Sequence, residues 1–170
     1  MVRPSSVVAL PALVIVWVLS SAAAPVAPSG TAAVTYVAPA PLRVLRPFEA
    51  PPTPFGPGHR GVDLATRAGE AVHAAGAGVV IFAGAVAGRG VVVVQHPDGV
   101  STEYEPITAA VRRGAAVRGG QLLGQVDGRH GDCAPGGCLH WGARRDGAYF
   151  DPLLLLAPLG PVRLLPWRPD

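Results

Sequence analysis

Residues 90–106 read GVVVVQHPDGVSTEYEP, two runs rich in β-branched residues separated by His96-Pro97-Asp98-Gly99. Proline presets one backbone angle of a tight turn, aspartate suits its centre, and glycine accepts the positive φ that closes it. The stretch therefore predicts two antiparallel strands joined into a hairpin. Working outward, similar short runs recur with glycine between them: AVHAA at 71–75, GVVIFAG at 78–84, QLLGQVD at 121–127, CLHWGARR at 138–145 and GAYFD at 147–151. No stretch after the first two dozen residues sustains a helical period. Short strands at regular intervals, with turn residues between them, predict an all-β, mostly antiparallel sheet or sandwich domain.

The flanks differ in texture. Residues 1–24 carry Arg3, an apolar run and a small-residue SAAA end, the pattern of a secretory signal peptide. Residues 25–42 are rich in Pro and Ala without a lasting period and read as a linker. The β domain is expected over 43–158, and 159–170 as a C-terminal tail. The protein is thus expected to be exported, outside the cell or on its wall, with an N-terminal membrane anchor as the alternative to cleavage. All 14 basic residues are arginine, and they are scattered rather than clustered with aromatics. That pattern argues against a nucleic-acid partner.

Two further segments carry chemistry. GPGHRGVDLA, residues 56–65, sets His59 and Asp63 four apart before a strand, and LHWG brings His140 about eighty residues later. Residues 112–126, RRGAAVRGGQLLGQV, resemble a hairpin unit shared by lipoyl and biotinyl carriers and by one peptidase family. Carriers need a lysine at a hairpin tip, and the chain contains no lysine, so the carrier reading falls.

Taken in order, GPGHRGVDLA, GAGVVIFAG, GAAVRGGQLLG, LHWG and the closing DPLLLL resemble the M23 zinc metallopeptidases, over roughly residues 46–156. The resemblance implies the lysostaphin-like β fold with an open groove. It implies Zn2+ held by His59, Asp63 and His140, and peptidoglycan peptides as substrate. Three N/O ligands that leave one position open are the pattern of a catalytic zinc site.

The chain departs from the family at two places. Where M23 enzymes carry a histidine after Tyr-x, this chain has Tyr104-Glu105-Pro106, and the first histidine of HxH is replaced by Cys138. Both acid/base histidines are missing, so the catalytic residues are open. Glu105 and His130 are the candidates for that work. Strand alternation counts against Glu105, because if position 106 faces the groove then position 105 faces away unless a bulge re-aims it. Cys138 has three readings: a fourth metal ligand, a thiolate nucleophile, or a disulfide with Cys133, which the oxidising compartment favours. The leading expectation is a zinc metalloendopeptidase of altered or reduced activity. The alternative is a degenerate module that binds metal or wall peptide and regulates other cell-wall hydrolases.

Overall fold

Eleven strands and one 3-10 turn are laid down in chain order in the computed structural model, which describes residues 33–53, 55–128 and 137–156. The strands are β1 (Val44–Arg46), β2 (Gly61–Ala65), β3 (Ala71–His73), β4 (Gly78–Val86), β5 (Arg89–Gln95) and β6 (Val100–Glu105). They continue with β7 (Ile107–Ala109), β8 (Ala116–Val117), β9 (Leu122–Val126), β10 (Cys138–Arg145) and β11 (Ala148–Phe150). The 3-10 turn covers Pro152–Leu155 and is capped by the Asp151 side chain, which accepts from the Leu153 amide.

The main sheet runs β1-β2-β10-β6-β5-β4-β8, with β11 also paired to β10, and a second sheet runs β3-β9-β7. All these pairings are antiparallel. The expected hairpin is the β5–β6 pair, with Val92 opposite Tyr104 and Val94 opposite Thr102. Its turn closes as the sequence requires. Gly99 takes φ +84°, and the Asp98 carboxylate accepts from the Val100 amide at 3.2 Å.

Alternation sorts each strand of the main sheet onto two faces. Val62, Leu64, Val92, Val94, Tyr104, Leu139 and Trp141 turn to one side and are fully buried. There they pack with Val72, Ile107, Leu123 and Val126 of the smaller sheet to form the core. The apolar face drives burial, so the opposite face is left to carry polar side chains. Those are the residues of interest below.

The described part of the segment read as a linker lies along the domain. The Val37 amide bonds the Ala75 carbonyl, and the His73 amide bonds the Pro39 carbonyl. Tyr36 donates its hydroxyl to Asp98 at 2.9 Å and sets its ring edge-on to His96. Two main-chain bonds and one half-buried aromatic anchor are enough to dock a stretch that has no strand period of its own. No helix among the described residues is long and apolar enough to cross a membrane.

Candidate metal centre

Three side chains from two strands and one loop converge on the polar face. Asp63 lies in β2 and His140 in β10, directly opposite one another in the antiparallel register. Directly opposed residues share a face, so both side chains rise together. His59 comes from the loop before β2, where its backbone forms a two-bond bridge with Glu49 that sets the approach angle. The four-residue spacing of His59 and Asp63 thus spans a bridge and a strand entry rather than a helical turn.

The contacts are short and mutual. His59 Nε2 lies 3.0 Å from Asp63 Oδ1, His140 Nδ1 lies 2.9 Å from the same oxygen, and the two nitrogens are 3.0 Å apart. All three residues are less than a tenth exposed, at 6%, 7% and 8%, so water does little to screen the cluster. Burial by itself would raise the Asp63 carboxyl. The hydrogen bond from His140 and the pull of both imidazoles outweigh it and hold the group below the usual carboxylate range.

The donor set fits a metal ion. His59 Nδ1 lies 2.7 Å from the Pro47 carbonyl, which can only accept, so that nitrogen carries the proton. In the neutral ring the Nε2 lone pair then points at a carboxylate oxygen and at the second imidazole nitrogen. His59 Nε2, Asp63 Oδ1 and His140 Nδ1 thus converge within 3.0 Å of one another, a nitrogen and oxygen set of the type a metal ion takes. Among the described residues, His59, Asp63 and His140 form the one group of His, Cys, Asp and Glu side chains close enough to hold an ion. The Pro47 carbonyl behind His59 is the outer partner that ligand imidazoles usually have.

The other expected site residues fall out as follows. Glu105 pairs directly with His140 across β6 and β10, so it stands on the same face as the ligands. The alternation argument failed because it was anchored on Pro106. That residue is buried beyond the end of β6, at the corner where the chain leaves for the second sheet. Glu105 is engaged by Arg89, whose Nε donates to its Oε2 at 2.9 Å. Cys138 also shares the ligand face and is fully buried, and it is not a free cysteine. Its expected partner Cys133 lies outside the described residues, as does His130. Trp141 and Tyr104, on the opposite face, are fully buried in the core.

One residue was missed. Glu103 stands two positions before Glu105 on the same strand and therefore on the same face, opposite Gly142. Burial pushes its carboxyl above the usual range, against the opposing pull of His140. The period of two would have shown it, had the register of β6 against β10 been known. Beyond Ala65, two residues from Asp63, an open depression of about 700 Å³ continues past Thr66, Arg67 and Arg43.

With this geometry in place, comparison with known proteins gives a direct result. Residues 57–152 match the profile of peptidase family M23, and the chain belongs to that family. It is 48% identical over 130 residues to the uncharacterized protein Rv2891 of Mycobacterium tuberculosis, covering 74% of this chain and 52% of that protein. The chain therefore spans about half the length of this relative. It is 34% identical over 101 residues to the DD-carboxypeptidase/endopeptidase Mpg of Neisseria meningitidis serogroup B, covering 59% of this chain and 23% of Mpg. Among solved structures, the catalytic domain of lysostaphin from Staphylococcus simulans superimposes with a TM-score of 0.58 at 21% identity, covering 67% of this chain and 91% of that one. A zinc containing peptidase from Vibrio cholerae gives 0.56 at 23%, covering 71% and 39%. These likenesses establish the lysostaphin-like all-β fold expected from the sequence.

Proposed function

We propose that this protein is a zinc-dependent endopeptidase acting on peptidoglycan peptides, with His59 Nε2, the Asp63 carboxylate and His140 Nδ1 as the metal ligands. The observation that carries the reading is the convergence of two buried imidazole nitrogens and one carboxylate oxygen at 2.9–3.0 Å, with Pro47 fixing the tautomer of His59. Membership of a peptidase family supports the reaction class. The name of the Neisseria relative supports a peptide of the wall as substrate. When bound, the ion supplies Lewis-acid polarisation of the peptide carbonyl and lowers the pKa of water beside it.

The chain's own residues do the rest. Asp63 and both histidines bind and orient the ion. Glu105, across the register from His140, stands on the groove face and takes the general-base position. Arg89 holds that carboxylate in place through its Nε. Pro106 has no side-chain proton to give. Loss of histidine acid/base help typically costs about 10²–10⁴ in rate, so turnover is expected to be slow.

The second reading is a wall-peptide-binding module that regulates other cell-wall hydrolases, favoured by Pro106 and Cys138 standing where the family keeps histidines. One assay separates the two. The zinc-loaded protein is incubated with purified wall peptides, and new amino termini are counted against an Asp63→Ala blank. Turnover that disappears in the blank supports the peptidase. Binding without new amino termini supports the module.

We also propose that residues 1–24 are a signal peptide that directs export, that the catalytic unit lies within 43–158, and that 159–170 form a tail. The expected oxidising destination supports a Cys133–Cys138 disulfide. Counting thiols under denaturing conditions tests this pairing: none should react before reduction and two after it, whereas two reactive thiols before reduction would exclude it.

A further inference from the structure

The cluster of His59, Asp63 and His140 has unlike neighbours on its two sides. In the main sheet β6 follows β10 on one side and carries Glu103 and Glu105 on the ligand face, while β1 lies beyond β2 on the other. On the β1 side the chain bears arginines instead of acids. Arg43 stands just before β1, where its carbonyl accepts from the Ala65 amide at 2.8 Å, and Arg67 stands two residues past the end of β2. Both line the open depression of about 700 Å³. Ala65, also in the lining, pairs with Cys138 and forms the next pair on the ligand face after Asp63 and His140. At about 3.3 Å of rise per residue the depression opens about 7 Å from the ligands, within the span of two residues of an extended peptide. Both arginines are exposed, and among the described residues neither guanidinium carries an ion pair or a side-chain hydrogen bond. Arg89 and Arg145, by contrast, are paired with Glu105 and Asp98. The Glu70 carboxylate in the same lining is engaged by the main-chain amide of Arg67 at 2.9 Å.

We infer that this depression is a carboxylate subsite, in which Arg43 and Arg67 take a free carboxylate of the substrate peptide beside the metal centre. The inference rests on wall peptides being the substrate, as proposed above. A peptide offers such a group from its C-terminus or from an acidic residue, and the chemistry of recognition is the same for both. Guanidinium groups present planar forks of N–H donors that match a carboxylate, and they stay charged at any pH of interest. The volume suits one or two peptide residues rather than a lone ion. On the far side of the cluster the same carboxylate would meet Glu103 and Glu105, so the charges also set which way the peptide lies.

The test measures binding of synthetic wall peptides to the full chain by titration calorimetry, with zinc withheld so that nothing is cleaved. Three forms of one peptide are compared: all carboxylates free, the C-terminus amidated, and the side-chain carboxylates amidated. The wild type should bind the free form about 10-fold or more tightly than one of the amidated forms, and the form that loses affinity identifies the source of the carboxylate. Arg43→Gln/Arg67→Gln should bring the free form to within about twofold of that amidated form. Arg112→Gln/Arg113→Gln removes the same charge from exposed residues outside the depression and should leave the preference intact. A preference retained in Arg43→Gln/Arg67→Gln, or lost equally in both double variants, would overturn the subsite. Equal binding of all three peptides by the wild type would also overturn it while leaving the peptidase reading in place. Binding of none of them would remove the substrate reading, and the subsite with it.

Discussion

Two buried histidine clusters lie in this molecule, and they are wired in opposite ways. Around His96 every polar atom finds its complement. The Ala75 amide donates to the Tyr104 hydroxyl, which donates to Thr102 Oγ1, which donates to His96 Nε2, and His96 Nδ1–H donates to the Ala77 carbonyl. Donors and acceptors alternate along the whole chain, so the network closes on itself. Around His59 and His140 three ligand-type atoms meet one another at 2.9–3.0 Å instead of each pairing with a separate partner. The proton of His59 is committed to Pro47, so its Nε2 lone pair faces Asp63 and His140. A buried network that closes is part of the core, whereas one that leaves lone pairs converging calls for a cation.

This contrast can be broken experimentally, and the largest effect should come from the ion. At a free zinc concentration 100-fold above Kd, binding to the folded state alone stabilises it by about 2.7 kcal/mol. Thermal unfolding should therefore shift upward on zinc addition and back on chelation. Asp63→Ala should abolish the shift, and His96→Gln should leave it intact.

Next in size is the closed network. Thr102→Val removes the link between Tyr104 and His96 and leaves both buried groups short of a partner. Each unsatisfied buried group costs about 1–3 kcal/mol, so urea denaturation should show a loss in that range or above it. Zinc stoichiometry should not change. A Thr102→Val protein that lost its zinc would join the two clusters and remove the contrast.

The smallest effect is on pH dependence. Burial holds His96 below its ordinary range, against the opposing influence of the Ala77 carbonyl and Asp98. The unfolded chain then binds a proton that the native chain refuses once pH falls below about 6.5. This contribution to stability is complete above that pH and is lost as pH falls toward the native value. Zinc-free wild type should lose stability in this window more steeply than zinc-free His96→Gln. Parallel pH profiles would show that His96 carries no such penalty.

What could be read from residues alone follows from how far each signal reaches. The β5–β6 hairpin was legible because Pro97, Asp98 and Gly99 act locally. The cluster of His59, Asp63 and His140 was legible because the three stand within ordered motifs, although the distances between them came only from the fold. The face of Glu105 was misjudged, since alternation gives parity along a strand but not which parity meets the neighbour. Glu103 was missed for the same reason: its place on that face depends on pairing with Gly142, a contact between residues 39 positions apart. Tyr36 sat in a Pro/Ala-rich stretch with no period, and nothing local marks its docking on Asp98 and His96.

The central claim is that the unclosed cluster is a metal centre and the closed one is not. Metal analysis of the purified full chain after dialysis against zinc tests it most directly. The account predicts one zinc per chain in the wild type and in His96→Gln, and background levels in His140→Ala. Equal zinc content in the wild type and His140→Ala would contradict it.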